Sequence, residues 1–211
     1  MNNLFIPIKK ESQRVRNKNF RKLPNNLPLW QHSIEKFRDF KIYVDTDCDE
    51  LLSELMRYSH VTAYKRSPDL VGHEVSVNSL IKYCIELNEL DGNLGQLHIT
   101  SPFLSNHTVK DAFRYMYSYD SVVSCNILHT RLWRQERYGY CPINHNPLKL
   151  EQTQDLPPLI EENSAFYVMN CDSFIKTGSR IGVNPFFYDI KFPESIDIDI
   201  EYDWQLVEKI F

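Results

Sequence analysis

Glycine is scarce in this chain: there are six in 211 residues, and none precedes Gly72. A Walker phosphate loop or a G-x-G-x-x-G turn after the first strand is therefore excluded. Any anion cradle near the N-terminus must come from side chains and from backbone N–H groups of non-glycine residues. Long apolar runs are also missing, and none approaches the about 18 residues of a membrane span. The opening Met1-Asn2-Asn3, followed by a short apolar segment, lacks the form of a signal peptide. Cysteine is present but unorganised. Cys48, Cys84, Cys125, Cys141 and Cys171 are scattered without C-x-x-C spacing, which fits reduced, mostly buried thiols in a cytoplasmic protein. Cys141 and His145 form one C-x3-H pair with no second pair to complete a zinc site. An excess of positive charge is absent too. The net charge of −4 argues against general nucleic-acid binding. No repeat, low-complexity tract or linker divides residues 1–211, so one domain is expected.

What the chain does contain is an apolar, aromatic-rich α/β pattern, 42% hydrophobic and 13% aromatic. Leu4 to Ile8 reads as a buried strand that ends abruptly in a polar stretch carrying Lys9, Lys10, Arg14, Arg16 and Lys18. Open α/β sheets bind ligands beyond the carboxyl ends of their strands. Five cations there suit a ligand with several phosphates, and the alternative is a solvated basic tail. Further strands are read at 41–46, 60–64, 96–100, 121–126, 163–169 and 185–190. Helices alternate with them at 29–37, from Asp47 or Asp49 through Leu51, Leu52, Leu55 and Met56, at 74–88, 105–117 and 171–176, and from about Tyr202. Strand–helix alternation at this pitch implies βαβ units and a parallel sheet. Residues 128–158 break the rhythm. With Trp133, Tyr138 and Tyr140, they read as a segment projecting from the sheet toward a second subunit.

Near the C-terminus, Ile196-Asp197-Ile198-Asp199-Ile200 alternates with period two, which predicts both aspartates on one face of a strand. Paired carboxylates repel unless a cation lies between them, and Mg²⁺ suits such oxygen ligands while keeping positions for water and phosphate. A solvent-facing edge strand is the plain alternative.

Eight fragments in order carry a resemblance. They are Lys18-Asn19, Asp45-Thr46-Asp47, Arg66-Ser67-Pro68-Asp69-Leu70, Thr100-Ser101-Pro102, Val122-Val123-Ser124, Gln154-Asp155-Leu156-Pro157, Asn163-Ser164-Ala165-Phe166-Tyr167 and Ser195-Ile196-Asp197-Ile198-Asp199. Together they resemble the acylneuraminate cytidylyltransferases, the CMP-sialic acid synthetase family. The resemblance implies a Rossmann-like nucleotidyltransferase fold, a mostly parallel sheet flanked by helices, usually dimeric, using CTP and Mg²⁺ to activate a sugar acid for surface glycans. It also implies roles. Lys18 would neutralise the triphosphate, with Lys9 and Arg14 as further catalytic cations. Ser12, Asn19, Ser76, His98 and Thr100 would contact the nucleotide. Asp197 and Asp199 would bind metal, and Gln154 and Asn163 would meet the acceptor. The chain departs from the family pattern at Lys9, where arginine is common, and at His98, where glutamine is usual. Thr153 and Glu161 stand where arginines are familiar. Two rivals stay open: a nucleotide-binding protein that has lost turnover, and a transferase using another nucleotide.

Overall fold

The computed structural model describes residues 1–72 and 74–211. The N-terminal apolar run forms β1 (Asn3–Ile8). Its side chains alternate between two cores, with Leu4, Ile6 and Ile8 in one and Phe5 in the other. Burial on both faces is what a central strand of a helix-covered sheet requires. β1 pairs in parallel with β2 (Lys41–Thr46) on one side and with β4 (Asn93–Leu97) on the other, and β3 (Val61–Lys65) extends the sheet beyond β2.

Past β4 the sheet becomes mixed. β8 (Leu159–Asn170) runs antiparallel to β4 and to β5 (Ser121–Leu128), and β9 (Pro185–Asp189) lies parallel to β5. The strand order is β3-β2-β1-β4-β8-β5-β9. The first core receives α1 (Leu29–Lys36), α2 (Asp49–Leu55), α4 (Asn106–Tyr115) and α6 (Glu201–Ile210), whereas the second receives α3 (Val77–Leu87) and α5 (Cys171–Thr177). Gly95 is required where α4 crosses β4: a Cβ there would lie 2.6 Å from Leu4 Cδ2 and 3.1 Å from Phe113 Cζ.

A hairpin of β6 (Trp133–Glu136) and β7 (Gly139–Pro142) forms a separate two-stranded sheet, with Tyr138 89% and Tyr140 71% exposed. No helix among the described residues is long and apolar enough to cross a membrane.

Several expectations need correction. The strand expected at 96–100 is Asn93–Leu97, which leaves His98, Ile99 and Thr100 in the loop beyond the sheet edge. β8 starts before residue 163, because Leu159 to Glu162 continue the ladder with β5. Met56 and Leu87, read as inward, are 85% and 48% exposed, and Trp204 is the fully buried anchor of α6. The alternating run at 196–200 is not a strand. It is an irregular segment in which Ile198 is buried, Ile200 is 53% exposed, and the Ile198 N–H donates to the Thr100 carbonyl at 2.9 Å. Alternation alone forms no ladder without a neighbouring strand, and here the neighbour is a loop.

Candidate functional site

The carboxyl ends of β1, β2, β3 and β4 share one edge of the sheet, and a cavity of about 430 Å³ opens there. The segment after β1 forms its first wall. With no glycine available, Asn17 takes the left-handed turn (φ 53°) that starts a short 3-10 helix at Lys18–Phe20. Val15 is buried as an apolar anchor, and the Asn19 amide donates to the Lys9 carbonyl at 2.8 Å, closing the loop on itself. Lys9, Ser12, Arg14, Lys18 and Asn19 all line the cavity. Lys10 turns away to Glu50, with its backbone N–H on Asp47, and Arg16 is exposed outside the cavity lining.

The opposite wall is acidic. Asp197 and Asp199 line the cavity from the segment before α6. Arg14 pairs with Asp199 at 2.5 Å, and the Lys18 ammonium donates to the Ile198 carbonyl at 2.6 Å. Burial pulls the Lys18 pKa below its ordinary value, against the attraction of Asp197 and Asp199. Burial likewise raises the Asp197 pKa, while the Thr100 hydroxyl beside it pulls the other way and Asp199 adds to the rise. Asp197 Oδ1 is buried and has no hydrogen-bond partner among the described residues. An orphaned carboxylate oxygen beside a second carboxylate fits a hard divalent cation.

Thr100 and His98 reach the cavity from the loop after β4. Burial, with Arg180 and Lys18 nearby, drives the His98 pKa down to about 4, so the ring is neutral at pH 7, and its Nε2 lacks a partner. Ser12 Oγ is a third buried polar atom on this lining without one. Native interiors satisfy most such atoms, so three atoms around one cavity with no partner among the described residues mark a surface suited to a polar ligand.

Three expected residues lie elsewhere. Ser76 does not line the cavity: its hydroxyl caps α3, accepting from the Ser79 N–H at 3.2 Å, and α3 meets the cavity through Val77 and Leu80. Gln154 is exposed on a short 3-10 turn against Gln152. Asn163 donates to Asn126 Oδ1 at 3.0 Å within the β5–β8 pairing. The lone Cys141–His145 pair gains no further ligand: no cluster of three His, Cys, Asp or Glu side chains suited to a metal occurs among the described residues.

Sequence reasoning missed three polar side chains of the lining. Arg66, just past β3, is buried against Asp45 of β2. Ser164 reaches the cavity where β8 shifts register against β5, its φ of 60° marking the distortion. Arg180 arrives from the loop after α5. Lys9, Arg14, Lys18, Arg66 and Arg180 thus line one cavity with Asp197 and Asp199, and of the five Arg66 is paired with Asp45 and Arg180 with Glu162, in a chain whose net charge is −4.

This fold and site define an α/β protein with a cation-rich cavity at its strand ends. Comparisons with known proteins give its family. The cytidylyltransferase family model matches residues 4–186, and the chain belongs to that family, a class of nucleotidyltransferases. It is 28% identical to a CMP-N,N'-diacetyllegionaminic acid synthase of Legionella pneumophila, over 97% of this chain and 94% of that protein. It is 27% identical to N-acylneuraminate cytidylyltransferase A of Danio rerio, over 80% of this chain but 40% of that protein. The chain thus spans less than half of the Danio protein's length. A solved CMP:2-keto-3-deoxy-manno-octonic acid synthetase complexed with CTP shares the fold, with a TM-score of 0.69 at 13% identity over 100% of this chain and 98% of that one.

Proposed function

We propose that this protein is a CTP-dependent cytidylyltransferase that activates a sialic-acid-like sugar acid to its CMP-sugar, releasing pyrophosphate. The observation that carries this reading is the juxtaposition of the first-loop cations with the Asp197–Asp199 pair across one cavity. The reaction is attack of an acceptor oxygen on the α-phosphorus, with the bond to the pyrophosphate oxygen breaking. Little covalent work falls to the protein in such a transfer, and catalysis rests on positioning and on charge stabilisation.

Lys18, Lys9 and Arg14 would neutralise the triphosphate and the departing pyrophosphate. Asn19 would hold the loop in shape, and Ser12, Thr100 and neutral His98 would offer hydrogen bonds to the nucleotide. Asp197 and Asp199 would hold Mg²⁺, which when bound supplies Lewis-acid stabilisation of phosphoryl oxygens. The exposed hairpin of β6 and β7 is the proposed contact between two copies in a homodimer, and five cysteines with no disulfide between them fit a cytoplasmic setting.

The test is pyrophosphate release with CTP, Mg²⁺ and a panel of N-acetylneuraminic, legionaminic, pseudaminic and 3-deoxy-octulosonic acids. Turnover with one of them supports the reading and names the acceptor. CTP binding with no turnover across the panel would favour a different small anionic acceptor or a protein that only binds the nucleotide. Failure to bind CTP would overturn the reading of the first loop.

A further inference from the structure

The second group of charge in the cavity lies away from the first loop. Arg180 sits between Gly178, which ends α5 in the left-handed conformation, and Gly182, also left-handed at φ 71°. Its side chain is 20% exposed and is braced from two sides. The guanidinium lies 3.7 Å from the Tyr167 ring centroid, and Nη1 donates to Gln96 Oε1 at 3.0 Å. Glu162 is the carboxylate nearest in its pairing, but at 3.8 Å it stands beyond hydrogen-bond distance and is itself engaged by the Tyr167 hydroxyl. Glu162 thus offsets part of the Arg180 charge, while beyond the bond to Gln96 the guanidinium N–H donors make no hydrogen bond among the described residues.

Two polar groups of this region, Gln96 and His98, have atoms without partners among the described residues. Gln96 is fully buried, and its Nε2 has none. His98, whose Nε2 has no partner among the described residues, lines the same cavity as Arg180 and Lys18. Ser164 also lines the cavity, turned there by the register shift in β8, with its hydroxyl paired to the Tyr167 hydroxyl at 3.0 Å. Meanwhile Glu161, which stands where the family resemblance leads one to expect an arginine, is exposed and bonded to Asn126. The acceptor's negative charge needs a partner from another place.

We propose that Arg180, stacked on Tyr167 and held by Gln96, reads the carboxylate of the acceptor, with Ser164 lining the same subsite. A planar, rigidly braced guanidinium matches a carboxylate in two-point fashion, which a lysine does not reproduce. The inference rests on the acceptor class proposed above and deepens it: the triphosphate belongs to the first loop, and the sugar acid's charge to the β4–β8 side.

The test is calorimetric titration of the four panel acids into protein saturated with α,β-methylene-CTP and Mg²⁺, for the wild type, Arg180→Gln and Arg180→Lys. Methyl esters of the same acids serve as neutral probes. The best-bound acid is expected to weaken on the order of 10- to 100-fold in Arg180→Gln and less in Arg180→Lys, as for loss of a charged hydrogen bond. Its ester should bind wild type and Arg180→Gln alike, and nucleotide affinity should stay within about two-fold in all three, which also reports that the variants fold. Equal acid binding by wild type and both variants overturns the assignment of Arg180 alone. Nucleotide binding by the wild type with no acid bound overturns the acceptor class, and this subsite with it. Parallel loss of nucleotide and acid would assign Arg180 to the nucleotide instead and sink the proposal.

Discussion

Lys18 and Ile198, 180 residues apart in sequence, are joined by a hydrogen bond of 2.6 Å from the lysine ammonium to the isoleucine carbonyl. That carbonyl stands between Asp197 and Asp199 in the chain, so the bond ties the first loop to the acidic segment. A neutral carbonyl is a modest partner for a half-buried ammonium, and a triphosphate is a stronger one. Lys18→Met should therefore lose little or no folding stability while CTP affinity falls on the order of 10- to 100-fold. Calorimetric titration of CTP alongside thermal unfolding checks both halves. Undiminished CTP affinity would remove Lys18 from the site.

The Asp197 carboxylate is an expensive group for the metal-free protein. Burial raises its pKa, Asp199 adds repulsion, and one oxygen has no partner. Replacing it by a neutral amide relieves that repulsion. Asp197→Asn should be as stable as the parent or more so by about 1 kcal/mol, which in a chain of this size shifts Tm upward by about 2 to 4 °C. Mg²⁺-dependent pyrophosphate release should fall at least on the order of 100-fold, by analogy with the loss of one preorganised electrostatic group. Differential scanning calorimetry without metal, and an activity assay with it, separate the two effects. A variant that is both less stable and fully active would contradict the assignment.

Much of the fold is legible because burial imposes a period. The Leu4-to-Ile8 run is apolar on both faces, as a central strand must be, and Leu80, Ile81, Cys84 and Ile85 repeat at helical spacing on α3. The cationic loop is legible for the same reason: it interrupts a buried strand. Other features depend on partners remote in sequence. The 196–200 run alternates like a strand, yet its backbone meets the Thr100 carbonyl rather than a neighbouring ladder. Arg180 reads locally as a charge in a glycine-flanked turn, and its meaning comes from Gln96, 84 residues earlier. Ser76 enters through the family resemblance alone, and in the fold its hydroxyl accepts from the Ser79 N–H to cap α3, outside the cavity lining.

Asp45 and Arg66 form an ion pair with side-chain exposures of 0% and 6% beneath the cavity edge. Burial raises the Asp45 pKa, and the guanidinium opposes it. Removing one partner of such a pair leaves a buried charge alone, which typically costs about 3 to 5 kcal/mol. Arg66→Met should show that loss by urea denaturation, and the double variant Asp45→Asn, Arg66→Met should recover more than half of it. A double variant as unstable as the sum of the single ones would mean that the two side chains act independently.

Lys36 gives the pH dependence with the clearest sign. Its ammonium, on α1, donates to the Pro102 carbonyl, which also receives His32 Nε2 at 3.0 Å. Burial draws its pKa from 10.5 to about 8, and Glu194 is the one carboxylate whose charge opposes the fall. Below about pH 8 the folded and unfolded chains both carry the proton, and the folded one bears the full cost of burying it. Between about pH 8 and 10.5 the folded chain sheds that proton while the unfolded chain keeps it. The unfolded state then binds more protons, so this group's contribution to stability rises with pH across that window. His32, whose pKa is pulled below 6.5 by burial and by Lys36, titrates outside it. Lys36→Met should accordingly exceed the parent in stability at pH 7, on the order of 2 kcal/mol, with the gap closing toward pH 10. Urea denaturation of both proteins at pH 7 and pH 10 measures this, and a gap that is constant or widening with pH would show that the Lys36 charge is solvated.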